Sequence, residues 1–281
     1  MKIFLKKALL AAEIHKLRES GKKIGFVPTM GALHEGHLSL VRISREQNDA
    51  TVVSIFVNPT QFNDKNDLKR YPRMPEKDEA MLRSAGCDII FMPDEKEVYP
   101  EPDTRVFNLG GLDKIMEGEH RPGHFNGVAQ VVTRLFDMVK PHRAYFGLKD
   151  FQQLAIIRKI VSDLNYPVEI ISCPIVRECD GLAMSSRNML LNASQRKQAL
   201  ALSQILFMAR EMKAEYSPDE IIDFVTDKVN ASPGVKLEYF EIIDGSTLLP
   251  ARKWDNKHDV IGCIAARVGE VRLIDNINFS S

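Results

Sequence analysis

Between Ile24 and Leu164 the chain alternates short apolar, β-branched runs with longer helical stretches, and this alternation limits the possible folds more than any other feature. Ile24 to Val27 is apolar, Pro28 to Gly36 is turn-like, His37 to Gln47 reads as helix, and Thr51 to Val57 is β-branched; together they form a βαβ unit. A helix opening on a proline follows from Pro75 to Ala85, then a short strand Asp88 to Met92, a helix Gly127 to Val139, a strand Ala144 to Phe146 and a helix Phe151 to Leu164. Such alternation predicts a Rossmann-like, doubly wound parallel sheet with ligands at the carboxyl ends of its strands. The polar segment Asn63 to Pro75 reads as loop.

Past about Pro174 the rhythm changes. Two helical stretches, Ser194 to Lys213 and Pro218 to Asn230, precede strands near Leu237 to Ile243, Val260 to Ala266 and Val271 to Ile274. The expected architecture is an α/β domain over residues 1–176 and a smaller α+β domain over 177–281 that closes over the active site. A chain of 281 residues, 44% of them hydrophobic, is long enough for two such cores.

Lys plus Arg and Asp plus Glu both number 38, so no net field draws in a polyanion, and no basic or aromatic strip suits RNA; nucleic acid is not an expected partner. Cys87, Cys173, Cys179 and Cys263 form no CxxC pair, which fits a reducing compartment rather than a disulfide framework or a zinc site. Ala8 to Ala12 is too short for the apolar core of a signal peptide. Nothing later approaches the roughly 20 apolar residues of a membrane helix. A cytoplasmic protein without a membrane partner is expected.

The string Val27-Pro28-Thr29-Met30-Gly31-Ala32-Leu33-His34-Glu35-Gly36-His37 runs from the first strand of that unit directly into a helix. Histidines three apart share one side of a helix's first turn, where backbone N–H groups and the helix dipole favour anions. Imidazole donors there suit phosphate oxygens that gain charge during attack at phosphorus. Taken alone, His34 reads as a helix cap and His37 as a surface residue, while a metal pair lacks a third ligand close by. A second stretch, Asp180-Gly181-Leu182-Ala183-Met184-Ser185-Ser186-Arg187-Asn188, gathers hydroxyls, backbone N–H groups and a guanidinium suited to a triphosphate, or is simply a loop leading to a helix.

Histidine-x-glycine-histidine directly after a strand resembles the signature of the nucleotidyltransferases that include class I aminoacyl-tRNA synthetases, and the longer PTMGALHEGH resembles the pantothenate synthetase family. In the class I fold a Lys-Met-Ser-Lys-Ser loop holds pyrophosphate; here Ala183, Ser186 and Arg187 replace its first lysine, second lysine and last serine, which fits the SSRN loop of that family. The resemblance implies ATP-dependent ligation of pantoate and β-alanine to pantothenate, toward coenzyme A, through a pantoyl adenylate, with release of AMP and pyrophosphate. It also implies Mg²⁺ with ATP, and a homodimer. A different small-molecule adenylyltransferase and a catalytically inactive nucleotide-binding module are the alternatives.

The resemblance assigns catalysis to His34, His37, Lys149, Ser186 and Arg187. It assigns ATP to Pro28, Thr29, Met30, His37, Gly147, Lys149, Asp150, Val176, Met184, Ser185, Ser186 and Arg187. Lys149 follows a strand and would otherwise read as a solvated lysine. Pantoate falls to Gln61 and Gln153, with Met30 and Phe62 as apolar wall; core packing is the competing reading for these two. Amides suit the task, because a neutral donor orients a carboxylate without tying down the lone pair that must attack phosphorus. Arg121 to Gly127 reads as a turn into a helix, with Arg121 and Asn126 as further lining candidates. Asp78 is the candidate for Mg²⁺, although Lys77 stands where the family tends to carry a second acid.

Overall fold

Successive residues of the central strands feed two separate cores. In the computed structural model, which describes residues 1–254 and 259–280, Phe26, Val52, Phe91 and Phe146 join one apolar cluster while Val27, Val53, Ile90 and Tyr145 join another. Side chains alternate between faces along a strand, so a run that is apolar at every position makes a strand covered on both sides. Six strands, β1 (Lys2–Phe4), β2 (Ile24–Thr29), β3 (Ala50–Ile55), β4 (Ile89–Phe91), β5 (Arg143–Gly147) and β6 (Glu169–Cys173), form one sheet. All pairs are parallel, in the order β1-β4-β3-β2-β5-β6.

Helices α1 (Lys7–Glu19), α2 (Glu35–Gln47), α3 (Pro75–Ser84), α4 (His124–Val139) and α5 (Phe151–Asp163) cover the faces. Leu10 of α1, Phe136 of α4 and Ile157 of α5 enter the first cluster; Leu38 and Val41 of α2 and Leu82 of α3 enter the second. Each such side chain contributes about 1.5–3 kcal/mol by leaving water. Strand order reverses at β2, which has β3 on one side and β5 on the other. Beyond the carboxyl ends of these strands lies the crevice in which a doubly wound sheet takes its ligand.

The boundaries differ from the sequence reading where tertiary pairing intervenes. Pro28 and Thr29 extend β2 instead of opening the turn, because pairing with β5 has ended by Phe26 and the missing Pro28 N–H loses no ladder bond on that side. The expected loop at Asn63 to Pro75 contains a short helix, Lys65–Arg70, capped by the Asp64 carboxylate on the Asn66 N–H at 2.7 Å. Helix α4 starts three residues early, immediately after Gly123 in left-handed backbone (φ 80°). Strands β1 and β6 and helix α1 had no legible pattern, since their burial is partial and irregular.

Contacts divide the chain into two compact units, Met1–Leu148 with Gln153–Pro174, and Lys149–Gln152 with Ile175–Ser281. In the second, the expected helix Ser194 to Lys213 is broken at Ala199 into Ala193–Gln198 and α6 (Leu200–Glu211). Helix α7 (Pro218–Asn230) opens as the sequence suggests, with proline in its first turn and a Ser217/Glu220 capping box. Both long helices pack on an antiparallel sheet of β7 (Val235–Asp244), β8 (Val260–Val268) and β9 (Val271–Asn278), where Leu206, Val225, Phe240 and Ile264 share one core. Among the described residues no helix is long and apolar enough to cross a membrane. All four cysteines are free, and burial pushes the Cys87 thiol up to about 12 and that of Cys173 to about 11, which leaves both unreactive.

Candidate active site

The loop after β2 is held at both ends by the protein itself. At its start the half-buried Pro28 precedes Thr29, whose hydroxyl donates to the Ser54 carbonyl at 2.7 Å and accepts the Gly31 N–H at 3.3 Å. The chain then turns through Gly31 and Ala32, both in left-handed backbone at φ 79° and 49°. Ala32 N–H and Leu33 N–H donate to the two oxygens of Asp78, at 2.9 and 2.7 Å. His34 follows as the residue preceding α2, in extended backbone.

The structure brings His34 and His37 together, with ring centroids 4.0 Å apart and planes inclined at 39°. The His34 backbone N–H donates to His37 Nδ1 over a long 3.4 Å. A neutral ring that accepts at Nδ1 carries its proton on Nε2, so this bond assigns His37 as an Nε2–H donor. Both side chains are half-buried at the N-terminus of α2, where the dipole and the first-turn N–H groups favour an anion.

Asp78, expected from the sequence to hold Mg²⁺, has a different task. Its side chain sits in the first turn of α3 with the residue only 1% exposed, and each oxygen is directed at a backbone N–H. A magnesium ion keeps several waters when it binds protein, and this buried carboxylate does not fit it. Among the described residues no group of three or more His, Cys, Asp or Glu is arranged to hold a metal ion.

Gln61 lies in a short turn, Pro59–Gln61, just past β3, and its amide is oriented by a buried relay. Asn58 Oδ1 accepts the Tyr99 hydroxyl at 2.9 Å and the Thr60 hydroxyl at 3.2 Å. Its Nδ2 therefore points the other way, donating to Gln61 Oε1 and to the Gly127 carbonyl, both at 3.1 Å. Gln61 is left with its Nε2 end presented, 3.2 Å from Met30 Sδ. Burial raises the Tyr99 phenol above its ordinary value, so it stays a donor throughout the neutral range. Gly127 is required here, because a Cβ would strike the Thr60 carbonyl and push α4 away from the turn. Behind the turn, His124 Nδ1 donates to the Gln61 carbonyl at 2.8 Å while Arg121 donates to its Nε2 at 3.2 Å.

Met30 thus lies against Gln61, whereas Phe62 packs edge-on against Tyr71 at 5.8 Å. Gln153 is half-buried on the first turn of α5. Asn126 departs from the expected lining role: its amide binds the Phe107 N–H and the Arg105 carbonyl and so ties down that segment. The sequence reading missed Asn58, Tyr99 and His124 as supports of Gln61. Tyr99 lies 41 residues from Asn58, so no local signal joins them.

Gly147 ends β5, and a side chain there would meet nothing within 4 Å among the described residues, so the strand end stays open. In the second unit, Lys149 and Asp150 sit in a tight turn; the Lys149 carbonyl accepts from Asn276 Nδ2 at 2.9 Å, and Asp150 is exposed. Beside Asn276, the buried Asp275 is bound by Arg177 through both oxygens at 2.7 and 3.0 Å. Burial raises its carboxyl above the usual range even though Arg177 and Lys149 pull it down. Val176 and Met184 are joined across a small hairpin by a backbone bond of 3.0 Å. Ser185 then caps the turn Ser186–Leu190 by accepting the Arg187 N–H at 3.2 Å, and Asn188 anchors it to Glu178 at 2.9 Å and to the Ala183 carbonyl at 3.1 Å. Val176, Met184, Ser185, Ser186 and Arg187 are therefore neighbours, as the sequence implied.

Comparison with known proteins agrees with this layout. The pantoate-beta-alanine ligase family model matches residues 2–278. A pantothenate synthetase of Bacteroides fragilis is 56% identical over 270 residues, 96% of each chain. The crystal structure of pantothenate synthetase from Thermus thermophilus superposes with a TM-score of 0.94 at 44% identity over the full length of both chains. That of the Francisella tularensis ligase, described as complexed with beta-gamma ATP and beta-alanine, gives 0.83 at 35% identity, covering 100% of this chain and 98% of the other. Likeness of this extent leaves no part of either unit unmatched, and the chain belongs to the pantoate-beta-alanine ligase family, the enzymes that form pantothenate.

Proposed function

We propose that the chain forms pantothenate in two steps on ATP, and that the residues described above divide the work. In the first step a pantoate carboxylate oxygen attacks the α-phosphorus, the bond to the bridging oxygen breaks, and pyrophosphate leaves with the bridging electrons. The observation that carries this reading is the close, mutually tilted His34/His37 pair at the start of α2, with an Nε2–H on His37 as a donor for a phosphate oxygen. Lys149, Ser186 and Arg187 add cation and hydroxyl donors for the remaining phosphate charge. Pro28, Thr29, Met30, Gly147, Asp150, Val176, Met184 and Ser185 frame the nucleotide.

Gln61 and Gln153 hold pantoate, with Met30 and Phe62 as apolar wall. The relay from Tyr99 through Asn58 supports that role for Gln61, since it presents an N–H donor toward the carboxylate. In the second step the β-alanine amine attacks the acyl carbon, the acyl–phosphate C–O bond breaks, AMP leaves, and the amine proton passes to solvent. Mg²⁺ would arrive with ATP as part of the substrate and would offset phosphate charge there. A cytoplasmic homodimer completes the proposal, and sedimentation of the purified chain tests the dimer.

The chemistry is tested by isotope exchange between pyrophosphate and ATP. Pantoate alone, without β-alanine, supports exchange if an adenylate forms reversibly, and chelation of Mg²⁺ abolishes it. Exchange that needs β-alanine would overturn the two-step order.

A further inference from the structure

We propose that Asp78 is a positioning residue for adenylation: its buried carboxylate holds the Gly31–Leu33 loop, and through it the His34/His37 pair, and does not bind the metal. The inference rests on the reading that these histidines meet the phosphates. Successive N–H groups in left-handed turns make a small anion-binding concavity, and here the protein fills it with its own anion. A non-glycine residue in this backbone region costs on the order of 1 kcal/mol or more and persists only where its surroundings hold it. At Ala32, with φ 49°, the Asp78 bond at 2.9 Å does the holding.

Three features make the clamp stiff. Asp78 projects from the first turn of α3, where the helix dipole stabilises a carboxylate. Its own backbone N–H is bound to Met74 O at 2.8 Å, so the acid does not drift. A Cβ at Gly31 would lie 2.9 Å from Asp78 Oδ2 and 3.0 Å from Ile55 Cγ2, so loop, carboxylate and β3 pack without slack. His34 follows Leu33 directly, and any shift of the two clamped amides moves the entry to α2 and the imidazoles with it. A displacement of about 1 Å in a catalytic group can cost ~100-fold in rate.

Asp78→Asn tests this with almost no change in volume. It puts an NH₂ against one of the two backbone N–H donors, so the loop must shift while the rest of the fold stays. The expected result, read by pantoate-dependent pyrophosphate–ATP exchange, is a fall in maximal rate of about 10- to 100-fold, with the Mg²⁺ concentration for half-maximal rate and the KM for pantoate each within about twofold of the parent. Gly31→Ala, which crowds the same loop but leaves the carboxylate, should give the same split and keeps the test alive if Asp78→Asn does not fold. A half-maximal Mg²⁺ concentration at least tenfold higher in Asp78→Asn, with the rate restored at saturating metal, would make Asp78 a ligand and overturn the proposal. Parental rates in either variant would overturn it too. His34→Ala and His37→Ala separate the two ideas: slow histidine variants beside a fast Asp78→Asn refute the clamp alone, while fast histidine variants refute the reading beneath it.

Discussion

The two loops assigned to phosphate are secured by opposite means. The Gly31–Leu33 loop is gripped by a carboxylate 45 and 46 residues away in sequence, on another helix. The Ser185–Asn188 loop holds itself: Ser185 caps two residues on, and Asn188 reaches back five and ten residues to Ala183 and Glu178. Beneath it Arg196 binds both Glu178 and Asp180 at 2.8 Å. A tertiary clamp makes a loop rigid and unforgiving, since a single buried acceptor decides its shape. A loop with local bonds spreads the load over several partly exposed groups, each replaceable by water at small cost.

The largest effect should fall on the clamped side. His34→Ala and His37→Ala are each expected to lower the single-turnover adenylation rate by on the order of 10²- to 10³-fold, as for loss of one transition-state donor, with a smaller change in pantoate affinity. Near-parental rates in both variants would reduce the pair to a cap and a surface residue, and the contrast between the loops would lose its functional meaning.

A smaller effect, beside the clamped loop, concerns Gln61 and Gln153. Gln61→Glu keeps volume but replaces the presented N–H end by a second carboxylate oxygen, while Asn58 Nδ2 still satisfies the first. The KM for pantoate should rise at least about tenfold, equivalent to roughly 1.4 kcal/mol, in Gln61→Glu and in Gln153→Glu. ATP affinity without pantoate serves as control. Unchanged pantoate kinetics in both would remove these amides from the pantoate pocket.

The smallest effect belongs to the self-held loop. Arg196→Gln removes ion pairs between groups that are 25 to 38% exposed, so the loss of stability at pH 7 should be about 1 kcal/mol or less. Hydrogen bonding from Arg196 holds the Asp180 carboxyl below its usual range. A depressed carboxylate contributes stability above its unfolded value, near 3.9, and loses it as pH falls through the folded one. Melting curves of parent and variant should therefore converge on acidification below about pH 4. A gap that persists in acid, or that exceeds several kcal/mol at neutral pH, would show that this loop also hangs on a single buried contact.

The same contrast governs what was legible beforehand. Periodicity and turn residues act over a few positions, so the alternation from Ile24 onward announced the parallel sheet, and the helical stretch Pro218 to Asn230 announced α7. The HxGH and SSRN strings likewise marked where the residues proposed for phosphate gather, because neighbours in sequence stay neighbours at a helix start or in a tight turn. Sequence alone could name Asp78, Asn126 and Gln61 as polar residues near a site, yet not their partners. Only the packing of α3 beneath the β2 loop turned Asp78 from a metal candidate into a clamp. Only Tyr99, brought beside Asn58, chose which end of the Gln61 amide is presented. A buried polar group must be paired, and its partner is whichever residue the assembled core leaves within about 3 Å, a choice made by the tertiary structure.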